Sequence, residues 1–185
     1  MTQTWTTDEM LTRIWAEIGN LDTPRNGYGG LVTLATVSAD HGPELRQVVL
    51  RRADRTASMV EVFTDSTTRK IIEIRAKPQV SLLIWQPEDQ LQIRLRGTAS
   101  IIEGAETQPD WQTLTIAQRG NYGTVPTPGT PIDDSSDFRR VADPARLAIL
   151  RISLAEIDAV HLDRPDDRRV LYRRIDDWRG QWLAP

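Results

Sequence analysis

Short runs rich in β-branched residues, each followed by a cluster of turn-forming residues, recur along most of this sequence. Such runs predict β-strands joined by turns. The predicted strands are Leu31–Val37, Glu44–Arg51, Ser58–Thr64, Val80–Trp85, Leu91–Ile102, Arg146–Leu154, Asp158–Leu162 and Arg169–Ile175. Many strands, short turns and few helices favour a small barrel over a parallel α/β sheet. We therefore predict a mainly β fold with a few helices.

Helical patterns interrupt the strands at three places. Thr6 to Glu9 has the pattern of a capping box, and apolar residues follow it at helical spacing until Gly19-Asn20. Further helices are predicted over Thr67–Ala76, capped by Asp65 or Ser66, and over Glu106–Gln118, with loops over Asp22–Gly30 and Gly120–Ser136. A chain of 185 residues suits one ordinary domain, so we predict a single domain over residues 1–185.

Composition excludes several classes of function. The chain has no cysteine, which excludes disulfides and thiolate metal sites, and two histidines are too few for a multi-histidine metal site. A net charge of −3 argues against nonspecific nucleic-acid binding. No apolar stretch is long enough for a membrane helix, and the first residues do not resemble a signal peptide. We therefore expect a cytoplasmic protein that binds neither nucleic acid nor membrane.

Two segments carry the pattern of an anion site. In one, Arg46 and Arg51 lie at the two ends of an apolar strand, where strand alternation would point them to opposite faces unless the strand bends. In the other, Phe63-Thr64 ends a strand, and hydroxyl residues and then Arg69 and Lys70 follow at a helix start. Hydroxyls and backbone N–H groups at a helix N-terminus suit phosphate. Cations are unfavourable in a first helical turn, and an anionic ligand would remove that penalty.

The order of these and later motifs resembles the FMN-binding split-barrel family of pyridoxamine 5′-phosphate oxidase. The matching segments are Arg46–Arg51, Phe63-Thr64, Thr68-Arg69-Lys70, Gln79–Ile84, Gln92–Gly97, Arg151–Leu154 with Ile157-Asp158, Arg168–Arg173 and Leu183-Ala184-Pro185. The resemblance extends from about Leu31 to the end of the chain. It implies a six-stranded FMN-binding split barrel that forms a homodimer and acts on a small molecule.

The resemblance also implies roles for individual residues. Arg46, Thr64, Arg69 and Lys70 would hold the FMN phosphate through charge-assisted hydrogen bonds. The backbone from Val48 through Val49 to Leu50 would run along the flavin ring, and Gln47, Arg51 and Phe63 complete the cofactor-binding segments. Gln92 would bond the pyrimidine side of the ring, and Arg169 would approach it from the partner subunit.

Departures from the family pattern concern the substrate. Pro165-Asp166-Asp167 stands where the vitamin enzyme has an Arg-Leu-His triplet. Arg51 replaces the substrate-phosphate lysine, and Arg119 is the nearest candidate to complete that phosphate site. The chain is therefore more similar to related FMN-binding proteins whose substrates are undefined. We expect little oxidation of pyridoxine or pyridoxamine 5′-phosphate.

Three functions remain open at this point. The first is an FMN-dependent oxidoreductase, in which the flavin carries the redox chemistry and no side-chain nucleophile is needed. The second is a flavin-binding module without turnover. The third is a split barrel that holds a deazaflavin or haem.

Overall fold

The computed structural model describes residues 5–21, 30–162 and 166–185. Its helices are α1 (Thr7–Asn20), α2 (Arg69–Ala76), α3 (Gln108–Thr113) and α4 (Ile116–Arg119), with 3₁₀ turns at Gly104–Thr107, Pro144–Arg146 and Arg174–Asp176. Its strands are β1 (Leu31–Ser38), β2 (Gly42–Asp54), β3 (Met59–Asp65), β4 (Gln79–Gln86), β5 (Leu91–Glu103), β6 (Thr124–Val125), β7 (Arg139–Arg140), β8 (Leu147–His161), β9 (Arg168–Arg173) and β10 (Gly180–Leu183). The predicted mainly β fold is confirmed.

Six antiparallel strands close into a barrel in the order β3-β2-β1-β4-β5-β8, because β8 pairs with both β5 and β3. β9 and β10 extend the sheet beyond β8. Inward residues alternate with outward ones along β1, β4 and β5, as the period-2 pattern predicts. Gly97 lies where the β5–β8 register shifts, and a Cβ there would lie 2.3 Å from the Ser153 carbonyl oxygen. Close approach of the two strands therefore requires glycine at this position.

Helix α1 packs against the barrel through one apolar face. Met10, Ile14, Trp15 and Ile18 are buried on it. The predicted capping box is confirmed, since Glu9 N–H donates to the Thr6 hydroxyl and Thr6 N–H donates to the Glu9 carboxylate. Thr6 and Glu9 therefore start the helix through local hydrogen bonds.

Four predicted elements differ in the structure. Helix Glu106–Gln118 is broken, because Leu114 is extended and Thr115 starts α4 with a second capping box. Strands Arg146–Leu154 and Asp158–Leu162 form the single strand β8, since the register with β5 shifts where the sequence indicated a turn. The long loop contains the short β6–β7 pair, and β10 was not predicted. Loop 22–30 lies outside the described residues except for Gly30.

The cap predicted for α2 is also wrong. Thr68, not Asp65 or Ser66, is the N-cap residue, and its side chain makes no capping bond. The Asp65 carboxylate accepts instead from the backbone and hydroxyl of Thr67, and so it stabilises the turn before the helix. Within the described ranges, no helix combines the length and apolar character needed to cross a membrane.

Candidate functional site

A cluster of cationic and hydroxyl side chains lies where β3 ends and α2 begins. The Lys70 ammonium donates to the hydroxyls of Thr64 at 2.9 Å and Thr68 at 3.1 Å. Arg46 reaches the same region from β2, and Thr36 from β1. We call this group, completed by Glu73 on α2, the cationic cradle. The structure therefore brings together three of the four residues predicted to hold a phosphate.

The fourth, Arg69, is exposed on the first turn of α2. It lines a neighbouring hollow of about 190 Å³ together with Asp40 and Glu73. It therefore lies beside the cradle, next to the hollow that Glu73 also lines.

The Arg46 guanidinium is held by three groups. It donates through Nη2 to a Glu73 carboxylate oxygen at 2.9 Å, and through Nη1 to the Thr36 hydroxyl and to the Glu44 carbonyl at 3.3 Å. The same Glu73 oxygen accepts from the Thr36 hydroxyl. Thr36 and Glu73 are both buried, so these contacts fix the orientation of the guanidinium from the protein side.

The cradle concentrates positive charge. Burial lowers the pKa of Lys70, and nearby Arg46 lowers it further, while Asp65 and Glu73 partly offset the effect. A phosphate monoester would offset both cations and accept from the hydroxyls, with charge-assisted bonds of the strong kind. The donor set of the cradle therefore fits the single terminal phosphate of FMN.

Asp65 joins the cradle to the long loop after α4. Its carboxylate accepts from Arg146 Nε at 3.1 Å and from the Gly123 backbone N–H at 2.9 Å, besides Thr67. Burial opposes ionisation of Asp65, but these bonds together hold its pKa below the ordinary value. Gly123 has a φ of +118°, and a Cβ there would lie 1.9 Å from the Val141 carbonyl oxygen. Asp65 therefore fixes a loop geometry that only glycine allows.

A second hollow, of about 250 Å³, lies between strands β2 and β3 and helices α3 and α4. We call it the Arg51 cavity; it is lined by Leu21, Val49, Leu50, Arg51, Arg52, Phe63, Asp110, Thr113, Leu114 and Gln118. Arg51 Nε is buried and finds no hydrogen-bond partner among the described residues. The cavity therefore presents a guanidinium next to the strand segment predicted to follow the flavin ring.

An irregularity in β2 separates the roles of its arginines. The register with β3 shifts between Leu50 and Arg52, so the strand does depart from simple alternation. Arg52 pairs with buried Glu61 and with Asp110 on α3, while Arg51 lies close to the hydroxyl of Tyr122. Burial raises the pKa of Tyr122, and Arg51 opposes that shift. The Tyr122 hydroxyl next to Arg51 therefore stays neutral at neutral pH.

Arg119 is placed differently from Arg51. Its guanidinium stacks over Trp111 at 5.4 Å and donates to the Trp111 and Gln112 carbonyls, each at 3.2 Å. Those bonds close the end of α3 against α4. Gln118, its neighbour, lines the Arg51 cavity, and Arg119 does not.

Gln92 and Arg169 lie apart from both features, on the outer face of the barrel. Gln92 on β5 and Arg169 on β9 flank Val160 of β8 in register. Arg169 donates to Asp158 at 2.9 and 3.1 Å, and Arg94 pairs with the same carboxylate. Burial opposes ionisation of Asp158, but the two arginines hold its pKa below the ordinary value.

The remaining predicted residues lie along β2 and β3. Val48 and Leu50 are buried, and Val49 and Phe63 line the Arg51 cavity. Gln47 faces outward and donates to the Thr33 hydroxyl at 2.9 Å. The binding roles assigned to these residues stay predictions.

Sequence reasoning missed Thr36, Glu73 and Tyr122. Glu73 could have been found, because it lies three residues after Lys70 on α2, within reach of the same helix face. Thr36 requires knowledge of the β1–β2 register, and Tyr122 requires the path of a loop. Neither is visible in a local pattern.

Comparison with known proteins identifies the family of this chain. Residues 20–103 match the model of the pyridoxamine 5′-phosphate oxidase, FMN-binding domain. A pyridoxine/pyridoxamine 5′-phosphate oxidase of Microcystis aeruginosa is 30% identical over 169 residues, covering 83% of this chain and 78% of that protein. One from Thermosynechococcus vestitus is 33% identical over 156 residues, covering 81% and 67%.

Solved structures share the fold. A pyridoxamine 5′-phosphate oxidase-related, FMN-binding protein from Nostoc punctiforme has a TM-score of 0.77 at 22% identity, covering 99% of this chain and all of that one. PhzG from Burkholderia lata, solved with tetrahydrophenazine-1-carboxylic acid, has a TM-score of 0.73 at 20% identity, covering 100% and 99%. With its barrel, its cradle and these relatives, the chain belongs to the pyridoxamine 5′-phosphate oxidase family of split-barrel proteins, whose cofactor is FMN.

Proposed function

We propose that this protein is a homodimeric FMN-dependent oxidoreductase that acts on a small anionic molecule other than a vitamin B6 phosphate. The observation that carries the proposal is the pairing of two distinct features on β2. One is a cradle suited to a terminal phosphate, and the other is a cavity with a partly unsatisfied arginine. A protein that only stored flavin would need the cradle alone.

Each part of the chain has a defined task in this proposal. When bound, FMN supplies hydride or electron transfer, which the protein tunes through neighbouring charges and hydrogen bonds. Arg46, Lys70 and Thr64 hold the phosphate, and the β2 backbone orients the ring. Arg51, with Tyr122 beside it, binds the anionic group of the substrate and places it against the ring, since positioning supplies much of an enzyme's rate enhancement.

The acidic pair after β8 favours a substrate other than a B6 phosphate. Asp166 is exposed, and Asp167 Oδ1 is buried with no hydrogen-bond partner among the described residues. Carboxylates in the stretch where the relatives' pattern has Arg-Leu-His would repel a phosphorylated substrate. Pro165 of the same stretch lies outside the described residues.

The outer face supports a second copy as the partner. Leu31, Leu83 and Trp85 are between 39% and 49% exposed on neighbouring strands, next to Gln92. Gln92 lies three strands from β2, roughly 14 Å along the sheet at the usual strand spacing. Two copies related by a two-fold axis would cover the apolar residues and bring Gln92 and Arg169 of each to the other's β2.

Light scattering tests the dimer. Trp85→Glu should give a monomer with weakened FMN binding, whereas Ile175→Glu, at a residue 88% exposed on a remote 3₁₀ turn, should remain a dimer. A wild-type monomer at micromolar concentration that is fully loaded with FMN would overturn this part of the proposal.

Spectroscopy and turnover test the function. The purified protein should show a flavin spectrum and bind added FMN, whereas a deazaflavin or haem spectrum would point to the alternatives. Reduction by NADH or NADPH, and hydrogen peroxide formation, should then be assayed with a panel of substrates. The panel includes both B6 phosphates and tetrahydrophenazine-1-carboxylic acid. A catalytic efficiency of about 10⁴ M⁻¹s⁻¹ with a B6 phosphate lies in the usual enzyme range and would contradict the proposed substrate class.

A further inference from the structure

A carboxylate lies inside a site built for an anion. Glu73 is 6% exposed, and one of its oxygens accepts from both Arg46 and Thr36. A negative charge at this position repels a bound phosphate and so lowers the affinity of the cradle for phosphate. The carboxylate must therefore either support phosphate binding in another way, or lower the affinity of the cradle for phosphate.

The contacts show what Glu73 does for Arg46. A guanidinium has five N–H groups, and three of those on Arg46 are directed to Glu73, Thr36 and the Glu44 carbonyl. The other two have no partner among the described residues, so they remain available to a ligand. Without Glu73 and Thr36, the long side chain would be free to adopt other rotamers, which a ligand would have to order on binding.

We propose that Glu73 is a positioning residue with two opposite effects on phosphate binding. Its oxygen acceptor fixes the Arg46 fork and so strengthens phosphate binding, while its negative charge weakens phosphate binding. This inference rests on the placement of the FMN phosphate in the cradle. It assigns to Glu73 a control over the preference for FMN over riboflavin, which lacks the phosphate.

Two substitutions separate the effects. Glu73→Gln keeps an oxygen acceptor on a side chain of the same length and removes the charge, so FMN binding should tighten about threefold to tenfold. Glu73→Ala removes acceptor and charge together, so FMN binding should weaken about tenfold. Riboflavin affinity should change less than about twofold in both variants, because its contacts do not include the cradle.

The measurement is titration of the apo-protein with FMN and with riboflavin, followed by flavin fluorescence. Glu103→Gln is the matched control, since it makes the same change of charge in an exposed pair with Arg75 and should leave both affinities unchanged. Should Glu73→Ala prove unstable, Glu73→Gln alone still tests the proposal. Weaker FMN binding by Glu73→Gln would overturn it, and so would equal changes for FMN and riboflavin.

Arg46→Ala distinguishes failure of this inference from failure of the site assignment. If Arg46→Ala leaves the preference for FMN over riboflavin unchanged, the FMN phosphate does not lie in the cradle. The site assignment and the proposed role of Glu73 are then both wrong. If Arg46→Ala lowers the preference but neither Glu73 variant changes it, the cradle assignment stands. Glu73 is then only a structural partner of Arg46, and the present inference is wrong.

Discussion

The cradle and the Arg51 cavity lie along the same strand, but their arginines are held in different ways. Arg46 is fixed by a buried carboxylate, a hydroxyl and a carbonyl. Arg51 lies close to the Tyr122 hydroxyl, and its buried Nε has no hydrogen-bond partner among the described residues. A cation fixed in advance suits one constant anion, since little side-chain freedom is lost on binding. A less constrained cation suits a ligand that enters and leaves at every turnover.

Asp65 links the start of α2, next to the cradle, to the loop after α4. Its replacement should cause the largest loss of stability among the substitutions considered. Asp65→Ala would leave Arg146 and the Gly123 N–H without their buried acceptor. Breaking a buried ion pair by removing one partner costs about 3–5 kcal/mol. We expect a loss of that size in the free energy of unfolding, measured by urea denaturation. Asp143→Ala, which removes a half-exposed cap of the neighbouring 3₁₀ turn, should cost about 1 kcal/mol.

The Asp65 contribution should also depend on pH. The folded-state pKa of Asp65 is below its ordinary value of 3.8, so the stabilisation is fully present above about that pH. It is lost as the pH falls through the lower folded-state pKa. The difference in unfolding free energy between the wild type and Asp65→Asn should therefore shrink below pH 3.8. A difference that stays constant down to the acid transition would show that hydrogen bonding rather than charge carries the effect.

Substitution of Arg46 should separate the cradle from the cavity. Arg46→Ala removes charge-assisted bonds of about 1.5–3 kcal/mol each, so FMN affinity should fall about 10-fold to 100-fold while riboflavin affinity changes little. Arg55→Ala, in an exposed turn, is the control. Equal losses for both flavins would mean that Arg46 supports the fold rather than the phosphate.

The difference between the two regions also explains what the sequence could predict. Thr64, Arg69 and Lys70 were recognisable because a strand end, a hydroxyl cluster and a helix start follow one another within seven residues. The strands of the barrel were predictable because burial alternates along them. By contrast, Glu73 and Arg46 are 27 positions apart, and they meet only because α2 packs over β1, the strand that pairs with β2.

The region after β5 was predicted less well for a related reason. The helical pattern over 106–118 hid a second capping box at Thr115, whose local bonds end one helix and start another. The break expected between strands 146–154 and 158–162 did not form, because pairing with β5 resumes after a register shift and pairing with β9 begins at Glu156. Strand pairing thus overrode local propensity in β8, whereas at Thr115 a local capping box divided the predicted helix.

Arg51 should affect the substrate and not the cofactor. Arg51→Ala should raise KM for the substrate identified by the panel about tenfold, the usual effect of losing one charged contact, and leave FMN affinity within about twofold. Arg51→Lys should be intermediate, because it keeps the charge and loses the planar fork. A loss of FMN affinity as large as that of Arg46→Ala would show that both arginines serve the cofactor and that the two regions form one site.

Arg119 should give the smallest effect, although the family resemblance made it a candidate for substrate binding. Its guanidinium stacks on Trp111 and bonds two carbonyls, so Arg119→Ala should cost about 0.5–1 kcal/mol of stability, the range of a partly exposed cation–π contact. KM should stay within about twofold of the wild type, because Gln118 and not Arg119 lines the cavity. Trp111 is buried in a small core cluster with Leu114, Tyr122 and Leu147, so Trp111→Leu should cost more stability than Arg119→Ala. If Arg119→Ala instead raises KM as much as Arg51→Ala, the side chain must leave Trp111 when substrate binds. The Arg51 cavity would then hold its anion with two arginines, one of which changes partners on binding, whereas Arg46 is fixed before its ligand binds.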